Sequence, residues 1–427
     1  MLPKTLTTMS TKSFGRLLLV LAILINKATI NAQNINVLFL GNSYTSVNNL
    51  PGTISDLLEG SGKTMDYASN TPGGYCYFQH ATNNTSLNLI RRGDWDFVVL
   101  QEQSQMPSID YYRYASMYPA ATQLRDSILK YNPCAEVVFY MTWGRRDGGQ
   151  QCEDYGEGIY CSADFSDFDH MQDTMTRAYC EIAEQLQSRV APVGEAWRFA
   201  RHNSDIELFS GDGSHPSIQG TYLTACTFYA TFWGESPIGL AYPANLTDAE
   251  ASLLQKAASQ TVFGNLTNWD FSPSLNADFS YHTDDQYTFQ FTNATSYPRP
   301  THCLWDFGDN NFSDEESPIH EYTESGAYTV KLIVESCQKA DSTTQEVEVI
   351  VPEGTNEKLT SFAIFPNPAQ RQITLSGQGW VCISNIMGQL VHSQQLNGTY
   401  TISLERGLYI ATLTDGMRTY SQKIVIQ

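Results

Sequence analysis

The sequence predicts a three-layer α/β/α domain followed by two all-β modules. Residues 33–268 alternate short apolar runs with amphipathic segments, which is typical of a parallel sheet covered by helices. Beyond about residue 270, β-branched and aromatic residues alternate with polar ones between turn signals, a pattern that favours small antiparallel sandwiches. A chain of 427 residues is also too long for one ordinary core, so two or three domains are expected.

The N-terminus, residues 1–32, has the features of a secretory signal peptide. Basic residues precede an apolar run at positions 17–25, and the segment closes with Ile30-Asn31-Ala32. We expect cleavage after Ala32, because the apolar run is too short to span a bilayer; an uncleaved anchor is the alternative. No later stretch has the roughly 20 apolar residues of a membrane helix. The sequence therefore predicts an exported chain without a transmembrane segment after cleavage.

The charge balance excludes several classes of partner. The chain contains 25 basic and 45 acidic residues, a formal net charge of −20. Nucleic acids and anionic membrane surfaces attract basic patches, so neither is expected to bind this protein.

The cysteine count suits an exported protein, since export permits disulfides. Nine cysteines are an odd number, so at least one stays unpaired or pairs with another molecule. The predicted pairs are Cys152 with Cys161 and Cys303 with Cys337.

The elements of the α/β domain follow in order along the chain. Its predicted strands are five short apolar runs, at residues 36–40, 63–68, 97–101, 137–141 and 190–193. Residues 114–129 and 171–186 carry apolar side chains at helical spacing, and residues 217–232 are predicted as a buried helix after Pro216.

Residues 142–170 interrupt this pattern and are predicted as a long loop after a strand, since they are rich in Gly, Asp and Tyr. Such loops surround the site in open α/β folds, and Trp143 and Arg145 are therefore candidate substrate-binding residues. The alternative is a surface excursion stabilised by the Cys152–Cys161 pair, in which these side chains only pack the loop.

Two β modules complete the chain. Residues 272–352 are predicted as a small sandwich, with alternating residues such as those of the run 328–334. The polar linker 352–356, Pro-Glu-Gly-Thr-Asn, precedes a last module at residues 358–427, which again has short strands and Gly-centred turns.

Two distant fragments carry the residues of an acyl-transfer site. Ser43 lies in the turn Gly41-Asn42-Ser43-Tyr44-Thr45 directly after the first predicted strand, where an α/β enzyme places a nucleophile. Asp212 and His215, three residues apart, supply an orienting acid and a base. Each fragment alone could be structural, as a turn former or a helix cap.

An acyl-transfer site also needs donors for the developing oxyanion. Candidates are the backbone N–H of Ser43, the N–H of Gly74 or Gly73, and a side-chain amide from Gln103 or Gln101. Each fragment follows a predicted strand, so all can meet at one edge of the sheet. This chemistry requires no metal and no organic cofactor. Asp169-His170 lacks spaced ligand partners and is predicted to begin a helix.

These fragments resemble the ordered blocks of the SGNH hydrolases, a flavodoxin-like group of secreted esterases and lipases. Gly41-Asn42-Ser43 resembles the GDS-like first block, Gly74 the glycine after the second strand, and Asp212 with His215 the Asp-x-x-His block. The chain has no G-x-S-x-G motif, which argues against the separate α/β-hydrolase family. The resemblance implies a triad of Ser43, Asp212 and His215, with an oxyanion hole from Ser43, Gly74 and an amide side chain.

The sequence departs from that family at two positions. Asn42 stands where the first block usually has Asp, a residue that is not itself catalytic in the family. The third block, Gly-x-Asn-Asp in the family, is replaced here by Gln101-Glu102-Gln103-Ser104. A glutamine amide can donate as asparagine does but is one methylene longer. Gln103 is the favoured donor and Gln101 the second choice.

The downstream modules resemble two further families. Trp305-Asp306-Phe307-Gly308-Asp309 and the segment 326–330 closely resemble a PKD domain, an Ig-like sandwich of secreted bacterial enzymes. This implies a spacer or glycan-contacting module with Trp305 in its core. Phe365-Pro366-Asn367-Pro368 and the final strand resemble the C-terminal sorting domain of the Bacteroidetes type IX secretion system; a second adhesive sandwich is the alternative. The resemblance implies passage across the outer membrane by that machinery, with release or surface attachment.

The resulting interpretation is an exported serine esterase acting on an acylated small molecule or polysaccharide, with acetyl or other short acyl groups of carbohydrate as the expected substrate. A lipid or thioester hydrolase is the alternative within the same chemistry. A surface adhesin with a catalytically inactive SGNH-like domain is the alternative from another class, suggested by the altered third block.

Overall fold

The computed structural model describes residues 34–59, 61–156, 158–241, 246–264, 268–299, 301–337, 339–351, 362–414 and 419–427. The chain forms two compact units that divide after Pro273. The predicted signal peptide, residues 1–32, and the predicted linker, residues 352–356, lie outside the described residues.

The first unit is built on a parallel five-stranded sheet with the strand order β2-β1-β3-β4-β7. Its strands are β1 (Asn34–Leu40), β2 (Thr64–Asn70), β3 (Phe97–Leu100), β4 (Glu136–Tyr140) and β7 (Arg189–Ala191). All five predicted strands are present, and their order is the flavodoxin-like one. The strand order reverses direction between β1 and β3, so the segments that follow these two strands border the crevice where such sheets bind ligands.

Ten α-helices of the described residues belong to this unit. They are α1 (Ser43–Ser46), α2 (Leu50–Leu57), α3 (Tyr77–His80), α4 (Asn84–Ile90), α5 (Asp110–Tyr112), α6 (Tyr118–Tyr131), α7 (Phe168–Gln185), α8 (Val193–Asn203), α9 (Ile218–Trp233) and α10 (Asp248–Phe263). In the part of the chain that the structure describes, no helix is long and apolar enough to cross a membrane.

The helices cover both faces of the sheet, because alternate residues of a strand point to opposite sides. Val37 and Phe39 of β1 belong to a core that includes residues of α2, α8, α9 and α10. Leu38 and Leu40 belong to the opposite core, with residues of α3, α4, α6 and α7. The predicted three-layer α/β/α arrangement is therefore confirmed.

The region 142–170 is more ordered than predicted. It contains the hairpin of β5 (Gly149–Glu153) and β6 (Tyr160–Phe165), and α7 begins at Phe168. Cys152 and Cys161 face each other in the hairpin and form the predicted disulfide, with their Cα atoms 4.1 Å apart. Both strands have a mostly polar sequence, so periodicity did not reveal them.

The second unit is all β. Its first module has two sheets: β8 (Phe279–Thr283), β9 (Thr288–Asn293) and β12 (Ile319–Glu321) form one, and β10 (His302–Asp306), β11 (Phe312–Ser313), β13 (Gly326–Ser336) and β14 (Lys339–Val349) form the other. Trp305 is fully buried in the core of this module, as predicted.

The second module of this unit is one five-stranded sheet. Its strands are β15 (Ala363–Phe365), β16 (Gln372–Asn385), β17 (Leu390–Ser403), β18 (Gly407–Thr414) and β19 (Thr419–Ile426). It has a core of its own, centred on alternate residues of β16 such as Ile373 and Leu375.

The prediction of a Cys303–Cys337 disulfide is wrong, because Cys303 is a free thiol. Cys303 lies opposite Val334 in the ladder between β10 and β13. Cys337 follows three residues later, a separation of roughly 10 Å along the strand at about 3.3 Å per residue. This exceeds the Cα separation of about 7 Å that a disulfide can bridge.

Candidate active site

The side chain of Gln101 holds the turn that carries Ser43 by hydrogen bonds. Gln101 is buried, and its Oε1 accepts hydrogen bonds from the Asn42 N–H at 2.8 Å and from the Thr45 hydroxyl at 3.0 Å. A Cβ on Gly41 would lie 2.7 Å from that same oxygen, so only glycine permits this close approach. Gln101 directly follows β3, so this strand determines the position of the turn in which Ser43 begins α1.

His80 holds the same turn from the other side. Its Nε2 donates to the carbonyl oxygen of Gly41 at 2.9 Å, and its Nδ1 accepts from the Ser86 hydroxyl at 2.8 Å. The proton is assigned to Nε2 because a carbonyl oxygen can only accept a hydrogen bond. Burial lowers the pKa of His80 to about 4, although the bond to Gly41 opposes that shift. The sequence analysis did not single out His80, since a histidine without a neighbouring motif carries no signal.

We expect the His80 environment to make folding acid-sensitive. The folded pKa lies below the ordinary value of 6.5, so the unfolded chain binds this proton more readily and stability falls as pH is lowered from about 6.5 to 4. The difference between these two pKa values corresponds to a loss on the order of 3 kcal/mol in the free energy of unfolding. Urea denaturation of the wild type and of His80→Gln, each at pH 7.5 and pH 4.5, measures the contribution of His80 to this loss. The comparison isolates His80 because the other titrating groups contribute equally in the two proteins. An identical loss of stability in the two proteins would contradict the assignment.

Ser43, His215 and Asp212 form a hydrogen-bonded relay. Ser43 Oγ lies 2.9 Å from His215 Nε2, and His215 Nδ1 lies 2.6 Å from Asp212 Oδ2. A carboxylate only accepts, so Nδ1 carries the proton and Nε2 is free to accept the one from Ser43. The structure thus joins the two fragments that are 172 residues apart in sequence.

The second carboxylate oxygen of Asp212 shapes its own loop. Oδ1 accepts from the backbone N–H groups of Ser214 and His215, both at 2.9 Å, and from the Ser210 hydroxyl at 2.8 Å. Partial burial alone would raise the pKa of Asp212, but the bonds from His215, Ser214 and Ser210 outweigh it and hold that pKa well below its usual range. Asp212 is therefore a permanent acceptor for the His215 ring.

Arg145 connects the two loops that carry this relay. Its Nη1 donates to the Tyr44 hydroxyl at 2.6 Å and to the Ser214 hydroxyl, and these two hydroxyls are themselves 2.6 Å apart. Tyr44 follows Ser43 and Ser214 precedes His215 in the chain. The guanidinium group therefore fixes the distance between the nucleophile and the base, a contact different from the substrate binding that the sequence predicted.

The prediction that Trp143 binds substrate is wrong, because its side chain is only 1% exposed. It stacks between Tyr44, at 4.8 Å between ring centroids, and Trp197, at 3.7 Å. Its Nε1 donates to the carbonyl oxygen of Ser214 at 2.9 Å. Trp143 therefore has the packing role that was the alternative interpretation of this loop, and its ring lies against Tyr44, the residue after Ser43.

Replacing Arg145 by Met should lower kcat/KM for ester substrates about 10-fold or more, because misplacement of a reacting group by about 1 Å is costly. Arg145→Lys should recover only part of this activity, since an ammonium group lacks the planar fork of donors. Steady-state kinetics on a p-nitrophenyl ester checks both variants. Arg92→Met, on the exposed Arg92–Asp94 pair, is the control. Equal kinetics for Arg145→Met and the control would refute the role.

Three of the predicted oxyanion donors have unused backbone N–H groups. Among the described residues, neither the N–H of Ser43 nor that of Gly74 makes a hydrogen bond, and the same is true of Gly73. Gly74 has a φ of +73°, which favours glycine. Asn42 Nδ2 donates to the carbonyl oxygen of Tyr75 at 2.9 Å and so ties the glycine turn to the nucleophile turn.

The two predicted amide donors are engaged elsewhere. Gln103 Nε2 donates to Gln105 Oε1 at 2.7 Å and approaches Glu153 Oε1 at 3.5 Å. Gln101 Nε2 donates to the carbonyl oxygen of Glu102 at 2.5 Å, while its oxygen supports the nucleophile turn. Among the described residues, the candidate donors that make no other hydrogen bond are therefore the backbone N–H groups of Ser43, Gly73 and Gly74.

Comparisons with known proteins cover different parts of the chain. Residues 268–351 match the family model described as PKD domain, and residues 363–427 match the model described as secretion system C-terminal sorting domain. The sorting domain indicates export across the outer membrane, to the cell surface or into the medium. No curated protein matches the chain significantly.

Solved structures similar to parts of the chain include three from different bacteria. A DUF4886 family protein from Bacteroides uniformis is 20% identical, covers 55% of this chain and 98% of its own, and has a TM-score of 0.45. The acetylxylan esterase Axe2 from Geobacillus stearothermophilus is 14% identical, with coverages of 48% and 95% and a TM-score of 0.34. The PKD1 domain of Vibrio anguillarum Epp is 32% identical, with coverages of 18% and 93% and a TM-score of 0.17.

Proposed function

We propose that the α/β unit of this exported protein is a serine esterase that hydrolyses carboxylic esters through an acyl-enzyme intermediate. The observation that carries the proposal is the continuous relay from Asp212 through His215 to Ser43, with distances of 2.6 and 2.9 Å. A serine that merely caps a turn needs no base at its hydroxyl, and a histidine that merely starts a loop needs no carboxylate on its other nitrogen.

The reaction follows from the donor and acceptor roles in the relay. Ser43 Oγ attacks the ester carbonyl carbon while its proton passes to His215 Nε2, and the imidazolium that forms is stabilised by Asp212. The N–H groups of Ser43 and Gly74 are proposed to hold the negative charge on the former carbonyl oxygen. The C–O bond then breaks, and His215 returns the proton to the departing alcohol. Water repeats the sequence on the acyl-enzyme and releases the carboxylic acid.

The proposed substrate class is carbohydrate bearing acetyl or other short acyl groups. It rests on the resemblance of the site blocks to a group of secreted esterases and on the PKD domain that follows at residues 268–351. A lipid or thioester hydrolase would use the same relay with a different acyl chain.

Two substrate panels test the proposal. Acetate release is measured from several acetylated polysaccharides, and p-nitrophenyl esters of increasing acyl length are assayed in parallel, with Ser43→Ala as the blank. We expect acetate release from at least one polysaccharide and the highest kcat/KM on the shortest esters. A preference for long chains would favour a lipid hydrolase, and polysaccharide binding without any ester hydrolysis would favour an adhesin.

A further inference from the structure

Glu102 is a buried carboxyl group that the proposed mechanism does not use. Its side chain is fully shielded from solvent and comes from the loop directly after β3. One oxygen, Oε1, accepts two backbone hydrogen bonds, from the N–H of Tyr77 at 3.0 Å and from the N–H of Gln103 at 2.7 Å. A single atom therefore joins two segments of the chain.

The two segments are those that border the proposed oxyanion site. Tyr77 begins α3 immediately after the turn that contains Gly73 and Gly74. Gln103 belongs to the loop after β3, which neighbours β1 at the point where the strand order reverses. The bond from Glu102 thus fixes the spacing between the glycine turn and the strand that supports the Ser43 turn through Gln101.

Burial of the Glu102 carboxyl group costs folding free energy. Its other oxygen, Oε2, is buried, and no N–H or O–H group among the described residues donates to it. Burial raises the pKa of Glu102 to about 8 even though the N–H groups of Gln103 and Tyr77 oppose the shift, and the thiol of Cys76 lies beside it. Cys76 in turn is within electrostatic range of Glu153 and Tyr155 of the hairpin region. A well-packed apolar side chain at this position would avoid the cost of burying a carboxyl group.

We propose that Glu102 is a positioning residue, which holds the glycine turn and the loop after β3 at the spacing at which the N–H groups of Gly74 and Ser43 face one oxyanion. This inference rests on the proposed esterase function and deepens it. Glu102 does not touch the reacting atoms. It acts through the two backbone segments that it joins, so its loss should affect the transition state more than substrate binding.

Three variants of Glu102 separate positioning from simple stability. Glu102→Leu removes both hydrogen bonds, and Glu102→Asp retains a carboxyl but shortens its reach by one methylene. Glu102→Gln keeps an acceptor oxygen at the same distance. We expect kcat to fall about 100-fold for Leu and at least about 10-fold for Asp, with KM within about twofold of the wild type, whereas Gln stays within about fivefold.

Gln255→Leu is the matched control, because Gln255 is also a buried side chain that holds a loop N–H. Its Oε1 accepts from Gly239 at 2.9 Å, but that loop carries no residue of the proposed site. The control should lose thermal stability and keep its kcat. If the Leu variant fails to fold, the Asp and Gln variants still decide the matter through their opposite expected effects.

The outcomes distinguish this inference from the proposed function. Leu or Asp variants with wild-type kcat, or a Gln variant as slow as Leu, would overturn the role of Glu102 while leaving the esterase intact. An equal loss of kcat in Gln255→Leu would reduce the effect to general destabilisation. A wild-type protein that hydrolyses no ester would overturn the proposed function and this inference with it.

Discussion

Replacing Ser43 by Ala is expected to reduce kcat for ester hydrolysis by at least about 10⁴-fold, because the acyl-enzyme can no longer form. Among the described residues, the Ser43 hydroxyl hydrogen-bonds only with His215 Nε2, at 2.9 Å, so its removal should change the thermal midpoint little. Steady-state kinetics on a short p-nitrophenyl ester, together with a thermal melt, measures both quantities.

Ser46→Ala is the control for this experiment. Ser46 is exposed and lies on the same short helix α1, one turn from the nucleophile. It should retain wild-type kinetics. Residual activity in Ser43→Ala above about 1% of the wild type would mean that another group attacks the ester.

Replacing Asp212 by Asn should reduce kcat about 10³-fold to 10⁴-fold at neutral pH. The amide nitrogen of Asn can face His215 Nδ1 only as a donor, which favours the tautomer with the proton on Nε2. In that tautomer His215 cannot accept the proton of Ser43. The loop should keep its shape, because the remaining amide oxygen can still accept from the N–H groups of Ser214 and His215.

The control for this variant is Asp205→Asn, an exposed carboxylate in the segment that precedes the loop of Asp212 and His215. A pH profile adds a second readout, because the pKa of Asp212 lies well below its usual range. Protonation of Asp212 therefore cannot cause a loss of activity between about pH 5 and 8. Equal rates for Asp212→Asn and the wild type would show that the carboxylate has no part in the reaction.

The sheet and the relay were accessible from the sequence for the same reason. Each buried strand of a parallel sheet is a short apolar run, and the residues that follow these runs meet at one edge. Ser43 follows β1, and Asp212 and His215 lie on a single tight loop. Their order and spacing therefore predicted a proximity that the structure shows, whereas their chemical roles remain a proposal.

The hydrogen bonds that hold the turns around the relay could not be predicted from the sequence. His80, Gln101 and Glu102 act through side-chain bonds to the backbone of residues far away in sequence, and no local pattern encodes such a partner. The sequence left open whether Trp143 binds substrate or packs the loop, because burial of a loop residue depends on which aromatic rings pack against it. The hairpin of β5 and β6 was missed because its strands lack a regular apolar period.

Of the two predicted disulfides, one could be predicted from the sequence and the other could not. Cys152 and Cys161 are nine residues apart within the loop predicted at residues 142–170, so they could be paired without knowledge of the hairpin that places them opposite each other. The pairing of Cys303 depended on the register between β10 and β13, and that register places Val334 opposite it. Register is set by packing of the whole sandwich and is not visible in the spacing of two cysteines.

The reactivity of the Ser43 hydroxyl as a nucleophile can be measured directly. The protein is treated with a fluorophosphonate, and the modified residue is located by peptide mass spectrometry in the wild type, His215→Ala and Ser46→Ala. We predict covalent modification at Ser43 in the wild type and in Ser46→Ala, and its loss in His215→Ala. Absence of modification in the wild type, or modification at another serine, would contradict the account.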